Sequence, residues 1–166
     1  MSTEHWTTGY SASELDAAQE RYNLKFPPDL IELLLEKRPV HGYDWRGKDE
    51  RIEAMLKWPF ELLEFDLENN WLWWPEWGDR PANPEDRAAV LRGELAKAPK
   101  LIPLISHRFI PEEPCEAGNP VFSMYGEDTI YYGANLAEYF ENEFNSRYVI
   151  GPTRRIRFWS DLVDRN

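Results

Sequence analysis

The chain carries a single cysteine, Cys115, so no internal disulfide can form, and the fold has to be held by burial and hydrogen bonding. Histidine is scarce too. His5, His41 and His107 are scattered and share none of the short paired spacings of zinc sites with one another or with Cys115, so no metal or cofactor is expected. No run of 18 apolar residues and no charged-then-apolar leader occurs, which disfavours membrane spanning and secretion and makes a cytoplasmic protein the expectation. Positive charge is in short supply, with 19 lysines and arginines against 30 aspartates and glutamates, a formal net charge of -11. Such an acidic chain repels nucleic acid and suits a basic partner, or simply stays soluble.

Catalytic pairings are missing as well. Cys115 and His107 are separated by a segment containing Pro111 and Pro114, nothing marks an oxyanion hole, and Cys115 reads as a surface-loop thiol. Glu112-Glu113 and Glu127-Asp128 are adjacent pairs on expected loops, whereas acid/base pairs need environments that push two pKa values apart, so solvated turns are the reading. No enzymatic activity is expected.

What is present is apolar and aromatic material, 42% and 14% of 166 residues, enough for one domain spanning 1–166 with a large core. Ser11 and Glu14 form a capping-box pattern ahead of Leu15, Ala18 and Tyr22, a first helix. Pro27 and Pro28 open a second, whose Leu30, Ile31, Leu33, Leu34 and Leu35 make a face too wide for a surface helix; it should lie deep and stop at Pro39. A third helix is expected from Asp49 through Ile52, Met55 and Leu56 to Trp58-Pro59. Leu63, Phe65 and Leu67 then alternate with Glu64 and Asp66 as a strand, Asn69-Asn70 turns, and Trp71 to Trp74 returns as its partner. Asn83-Pro84 begins a fourth helix through Leu91 and Leu95, closed by Pro99. Leu101 to Ile105 is an apolar strand, and Arg108 to Ile110 either extends it or starts another. A short helix, Phe158 to Val163, ends the chain as a lid.

The densest information lies between Gly118 and Phe144. Val121 to Tyr125 and Thr129 to Tyr132 suit a pleated, half-buried surface, and Gly126-Glu127-Asp128 supplies the turn of a hairpin. Asn135 then caps a helix with Glu138 reaching back, and Leu136, Tyr139, Phe140 and Phe144 recur on one face. Helices gather at both ends of the chain and antiparallel strands in the middle, an α+β arrangement with a mainly antiparallel sheet packed with helices.

With these motifs in order, the chain resembles the SUKH superfamily of Smi/Knr-like domains, found mainly in bacteria. The resemblance is carried by Leu24-Lys25-Phe26-Pro27-Pro28-Asp29-Leu30, Ile102-Pro103-Leu104, Gly118-Asn119-Pro120-Val121, the Asp128 to Tyr132 strand and the aromatic helix after it, and covers about residues 12–163. The tryptophan-rich insertion around Trp71 to Trp77 and the following helix depart from the family pattern. The resemblance implies a non-enzymatic binding scaffold, and many bacterial members look like immunity proteins that sit on and neutralise toxins, nucleases among them. A basic toxin domain would complement an acidic immunity protein.

Two stretches stand out as contact candidates. Trp71, Trp73, Trp74 and Trp77 fall within seven positions, with Glu76 between; Trp74, Glu76 and Trp77 read either as a protein or sugar contact or as packing. His41 to Arg46 is a polar, aromatic loop in which Tyr43, Trp45 and Arg46 either meet a partner or form a turn whose tryptophan plugs the core. Glu112 and Glu113 add acidic contacts for a basic partner. Residues 146–166 hold five arginines against two aspartates, a net of +3; Arg147, Arg154, Arg155 and Arg157 among them fit internal ion pairs better than phosphate grips. A small-molecule or carbohydrate sensor using the tryptophan cluster is the alternative to a protein-binding module.

Overall fold

Local capping chemistry starts most of the helices in the computed structural model, which describes residues 4–166. Helix α1 (Ala12–Tyr22) opens on a complete capping box: Ser11 Oγ accepts the Glu14 N–H at 3.1 Å and the Glu14 carboxylate accepts the Ser11 N–H at 2.8 Å. Helix α2 (Pro28–Glu36) starts on Pro27-Pro28 with Asp29 in its first turn, and α3 (Glu50–Asn69) is capped by Asp49, which accepts the Arg51 N–H. Asn83 caps α4 (Pro84–Lys97) and Asn135 caps α5 (Leu136–Phe144) in the same way. A short α6 (Trp159–Asp164) closes the chain.

The third helix is where the sequence misleads. It does not end at Trp58-Pro59 but runs on to Asn69 with Pro59 inside it, because the buried set Ile52, Pro59, Leu63, Asp66 and Leu67 keeps helical spacing across the proline. One lost backbone bond at Pro59 is outweighed by that continuous apolar face. Leu63 and Leu67 are four apart and share a face, while Phe65 lies 59% exposed on the other side, so the apparent two-residue alternation belongs to a helix. The strand expected over Leu63 to Leu67 and its partner at Trp71 to Trp74 do not exist; the latter is irregular and leads into a 3-10 turn, Pro75–Trp77. Nor is α2 deep throughout: Leu30 and Leu34 are buried, but Ile31 and Leu33 are half-buried and Leu35 is exposed.

Two short strands that sequence reading did not anticipate, β1 (Trp6–Thr8) and β2 (Lys37–Pro39), pair antiparallel, and β2 takes over directly where α2 stops. The main sheet is antiparallel, β3 (Leu101–Ile105), β4 (Arg108–Pro111), β5 (Val121–Ser123) and β6 (Ile130–Gly133), in that spatial order. Arg108 thus begins a new strand, after a turn at Ser106-His107. The expected hairpin is present with shorter strands, and Gly126–Asp128 forms a 3-10 turn.

Strand alternation divides the core into two. Ile102, Leu104, Ile110 and Val121 pack with Leu15, Leu30, Leu34, Trp45, Leu136, Tyr139 and Phe140 of α1, α2, α5 and the loop after β2. Leu101, Phe109 and Phe122 pack with Leu63, Leu67, Leu91, Trp159 and Leu162 of α3, α4 and α6. Helices therefore cover both faces of one α+β sheet. Arg87, 8% exposed, fastens α4 to α3 by bonds from its guanidinium to Glu68 and to the Pro81 carbonyl. Trp159 donates its indole N–H to the Pro99 carbonyl at 2.8 Å, which makes α6 the expected lid.

Candidate functional site

Helical periodicity places Asp29, Glu32, Leu33 and Glu36 along one side of α2, at i, i+3, i+4 and i+7, and Leu136, Ala137, Phe140, Glu141 and Phe144 along one side of α5. These two sides face each other across a groove of about 640 Å³. One end lies at Gly118 and the α5 cap Asn135, where Asp29 Oδ2 accepts the Gly118 N–H at 2.9 Å. At the other end lie Trp6, the first residue of β1, and His5 just before it. The Trp6 ring meets Phe140 and Phe144 edge-on at 4.8 and 5.4 Å, and His5 stacks on Phe144 at 4.2 Å with an interplanar angle of 3°. Lys37 lies over the Trp6 indole, 4.4 Å from its centre, and Trp6 Nε1 is buried with no acceptor among the described residues.

Carboxylates dominate the charged part of this groove's lining. Its lining includes Asp29, Glu32, Glu36 and Glu141 but no lysine or arginine. Among the described residues, Glu32, Glu36 and Glu141 make no ion pair, as is true of many carboxylates in so acidic a chain, while Glu68 pairs with Arg87, Glu76 with Arg165, Glu113 with Arg157, Glu116 with Arg154, and Asp161 and Asp164 with Arg155. Because α2 runs into β2, β2 pairs with β1, and β1 packs on Phe140 and Phe144, the C-terminal turns of both helices lie at the β1 end. Neither helix has a basic residue in its last turn. The negative ends of two macrodipoles and the carboxylates of Glu36 and Glu141 add at this end, and Lys37, the C-cap of α2, lies over Trp6 beside them.

The residues singled out from sequence fall elsewhere. Trp45 is 3% exposed and plugs the first core, edge-on to Phe26 and Tyr22, so it offers no contact surface. Its backbone N–H donates to Tyr10 Oη, and Tyr10 donates to the Tyr43 carbonyl, which pins the loop. Tyr43 is half-buried and donates to the Ser106 carbonyl at 2.8 Å. Arg46 is exposed but committed to Asp44 through bonds of 2.9 and 2.7 Å, which hold the Asp44 carboxyl at about 2, against 3.8 for the ordinary group. Trp74 is also a correction: it is 7% exposed, with Trp77, Phe158 and Arg165 packed on it at 5.1, 5.0 and 4.1 Å. Trp77 is half-buried, and Glu76 is exposed and paired bidentately with Arg165.

Glu112 accepts the Lys25 N–H and Glu113 pairs with Arg157 at 3.0 Å, so both help tie loops together. The indole that is presented to solvent is Trp71, 78% exposed, with a left-handed φ of 56° and the Arg80 guanidinium 4.4 Å over its ring. Sequence reasoning counted it in the tryptophan cluster but placed it in a strand and singled out Trp74 and Trp77 instead. The groove was missed too, although the acid spacing on α2 was legible. Of the acidic pairs, Glu127 is half-buried rather than fully solvated; burial, then Asp66 and Asp128, raise its pKa. Cys115 is exposed, as expected.

Among the described residues no three metal-ligating side chains converge, and no helix is long and apolar enough to cross a membrane. Comparison with known proteins found no matching family model, no matching curated protein and no matching solved structure.

Proposed function

We propose that this protein is a non-enzymatic, cytoplasmic protein-binding module of SUKH-like type, acting as an immunity protein that neutralises a basic toxin domain by covering it. The observation that carries this reading is the groove between α2 and α5, where carboxylates without ion-pair partners surround an apolar floor. Apolar area with a charged, unanswered rim is the composition of a recognition surface, and the net charge of -11 adds long-range attraction for a basic partner over nucleic acid. The order of strand, hairpin and aromatic helix that resembles the SUKH pattern gives the family part of the proposal. Coexpression with any basic toxin domain encoded beside its gene tests it: cells should survive with the protein and die without it, and the two chains should copurify. Equal killing in both cases, with no complex recovered, overturns the reading.

Small-molecule or carbohydrate sensing at Trp71 to Trp77 has less to stand on. Trp74 is packed over by Trp77, Phe158 and Arg165, and Trp73 and Trp77 meet edge-on at 5.1 Å, so the cluster largely packs on itself.

A further inference from the structure

We propose that the groove between α2 and α5 seats a cationic amphipathic segment of the partner protein. Its apolar side chains lie on Leu33, Leu136 and Phe140, and its lysines or arginines meet Glu32, Glu36 and Glu141. The inference rests on the protein-binding reading and adds which chemistry the groove takes.

Three independent features select this occupant. The floor is apolar and the rim is acidic, so a ligand has to be both greasy and positive to satisfy it. An uncharged apolar segment would bring carboxylates toward low dielectric without compensation, and a purely cationic one would leave the floor wet. Second, Glu36 and Glu141 lie in the last turns of α2 and α5, where a helix C-terminus prefers a cation, and Lys37 at the α2 C-cap lies over Trp6. A lysine or arginine arriving beside Glu36 or Glu141 removes that conflict, so the cations of the segment concentrate toward the β1 end. Third, Ala137 is small and exposed on the first turn of α5, which leaves the groove open to side chains entering from solvent near its Gly118 end.

Asp29 accepts the Gly118 N–H and shapes the far end, and Glu141 accepts an N–H bond from Asn145 at 2.7 Å at the other. His5 on the lining is stacked flat on Phe144, and the Lys37 ammonium lies over the Trp6 ring.

The test uses the full chain and a synthetic leucine-lysine amphipathic helix as probe, with a leucine-glutamate helix of the same pattern as comparison. Binding is read by calorimetry and by amide and indole chemical shifts. The lysine peptide should bind, shift α2, α5 and the Trp6 indole signals, and weaken as salt rises from about 0.05 M to about 0.5 M. Glu36→Gln and Glu141→Gln should each weaken it about threefold, the scale of one exposed ion pair, while Glu61→Gln on the exposed side of α3 changes nothing. Ala137→Lys, at an exposed helical position where folding is preserved, should weaken it at least about tenfold by filling the groove and adding like charge.

Absence of binding, equal binding of the glutamate peptide, or affinity indifferent to Ala137→Lys and the glutamine variants overturns the proposal. The same variants separate it from the wider reading. If wild type protects cells from the toxin and Ala137→Lys protects equally well, the groove assignment fails and protein binding stands; if wild type itself gives no protection, the immunity reading is the one that falls.

Discussion

Replacing Gly133 with alanine should unsettle both the fold and the groove. Gly133 is the last residue of β6, and a Cβ built there would lie 2.5 Å from Tyr139 Cα, 2.5 Å from Tyr139 N and 2.6 Å from Tyr139 Cβ. These are backbone or near-backbone atoms of α5, so no rotamer change relieves the clash. Helix α5 would have to retreat by about 1 Å to restore an ordinary contact of about 3.5 Å. It is poorly placed to do so. Tyr139 is fully buried, Asn135 caps the helix, and Glu138 accepts N–H bonds from Ala134 and Gly151. Overpacking of this kind costs about 3 kcal/mol, which for a chain of this size lowers Tm by about 6–12 °C. Urea unfolding followed by far-UV circular dichroism reads the loss as a lower midpoint at unchanged m. A loss below about 1 kcal/mol would refute the idea that β6 and α5 are locked by the missing side chain. Because α5 is one wall of the groove, the folded fraction of the variant should also bind the lysine peptide less tightly than wild type.

Gly93, in contrast, lies in the middle of α4 with nothing within 4 Å of its missing Cβ, so Gly93→Ala should stabilise the protein by about 0.5–1 kcal/mol in the same urea assay. Arg46→Ala should raise the Asp44 pKa from about 2 toward 3.8, stopping short because Arg38 stays 3.9 Å away; a carboxyl titration by NMR that leaves Asp44 at about 2 would sink this. His107 sits with Nε2 2.6 Å from Arg108 Nη1, and burial first, then the Arg108 charge, lower its pKa below 6.5, with Glu143 opposing. A depressed histidine leaves stability intact above about 6.5 and erodes it as pH falls from there toward the folded-state value. His107→Gln should therefore lose less stability than wild type between about pH 7.5 and pH 5, and parallel losses in the two would refute the sign.

What the sequence could announce was whatever is decided within a few residues. The caps at Ser11, Asp49, Asn83 and Asn135, the apolar β3 and the hairpin around Gly126–Asp128 all depend on side chains near their own backbone, and all are found where the pattern places them. The passage of α3 through Pro59 was hidden because proline is locally adverse there, and only packing against the second core reveals why the helix continues. Strands β1 and β2 are three residues each, too short to show a period, and exist through each other. Leu33 and Leu35 gave the opposite error. Their hydrophobicity implied depth, yet one floors the groove and the other is exposed.

The candidate site was harder to read than the fold because residue type alone is a poor guide to recognition. Tryptophan marks binding hot spots and also fills cores, and Trp45 and Trp74 spend their rings on Phe26, Tyr22, Trp77 and Phe158. Arg46 and Glu76 similarly spend their charge within the chain. The useful distinction is whether a group's chemistry is already satisfied, and that depends on neighbours distant in sequence. The groove draws its lining from β1, α2, Gly118 and α5, four stretches separated along the chain, and only their assembly shows that Glu32, Glu36 and Glu141 surround an apolar floor. Glu36 and Glu141 place like charge in the last turns of two helices, against the helices' own electrostatics. A partner that supplies the missing charge turns that local cost into binding energy.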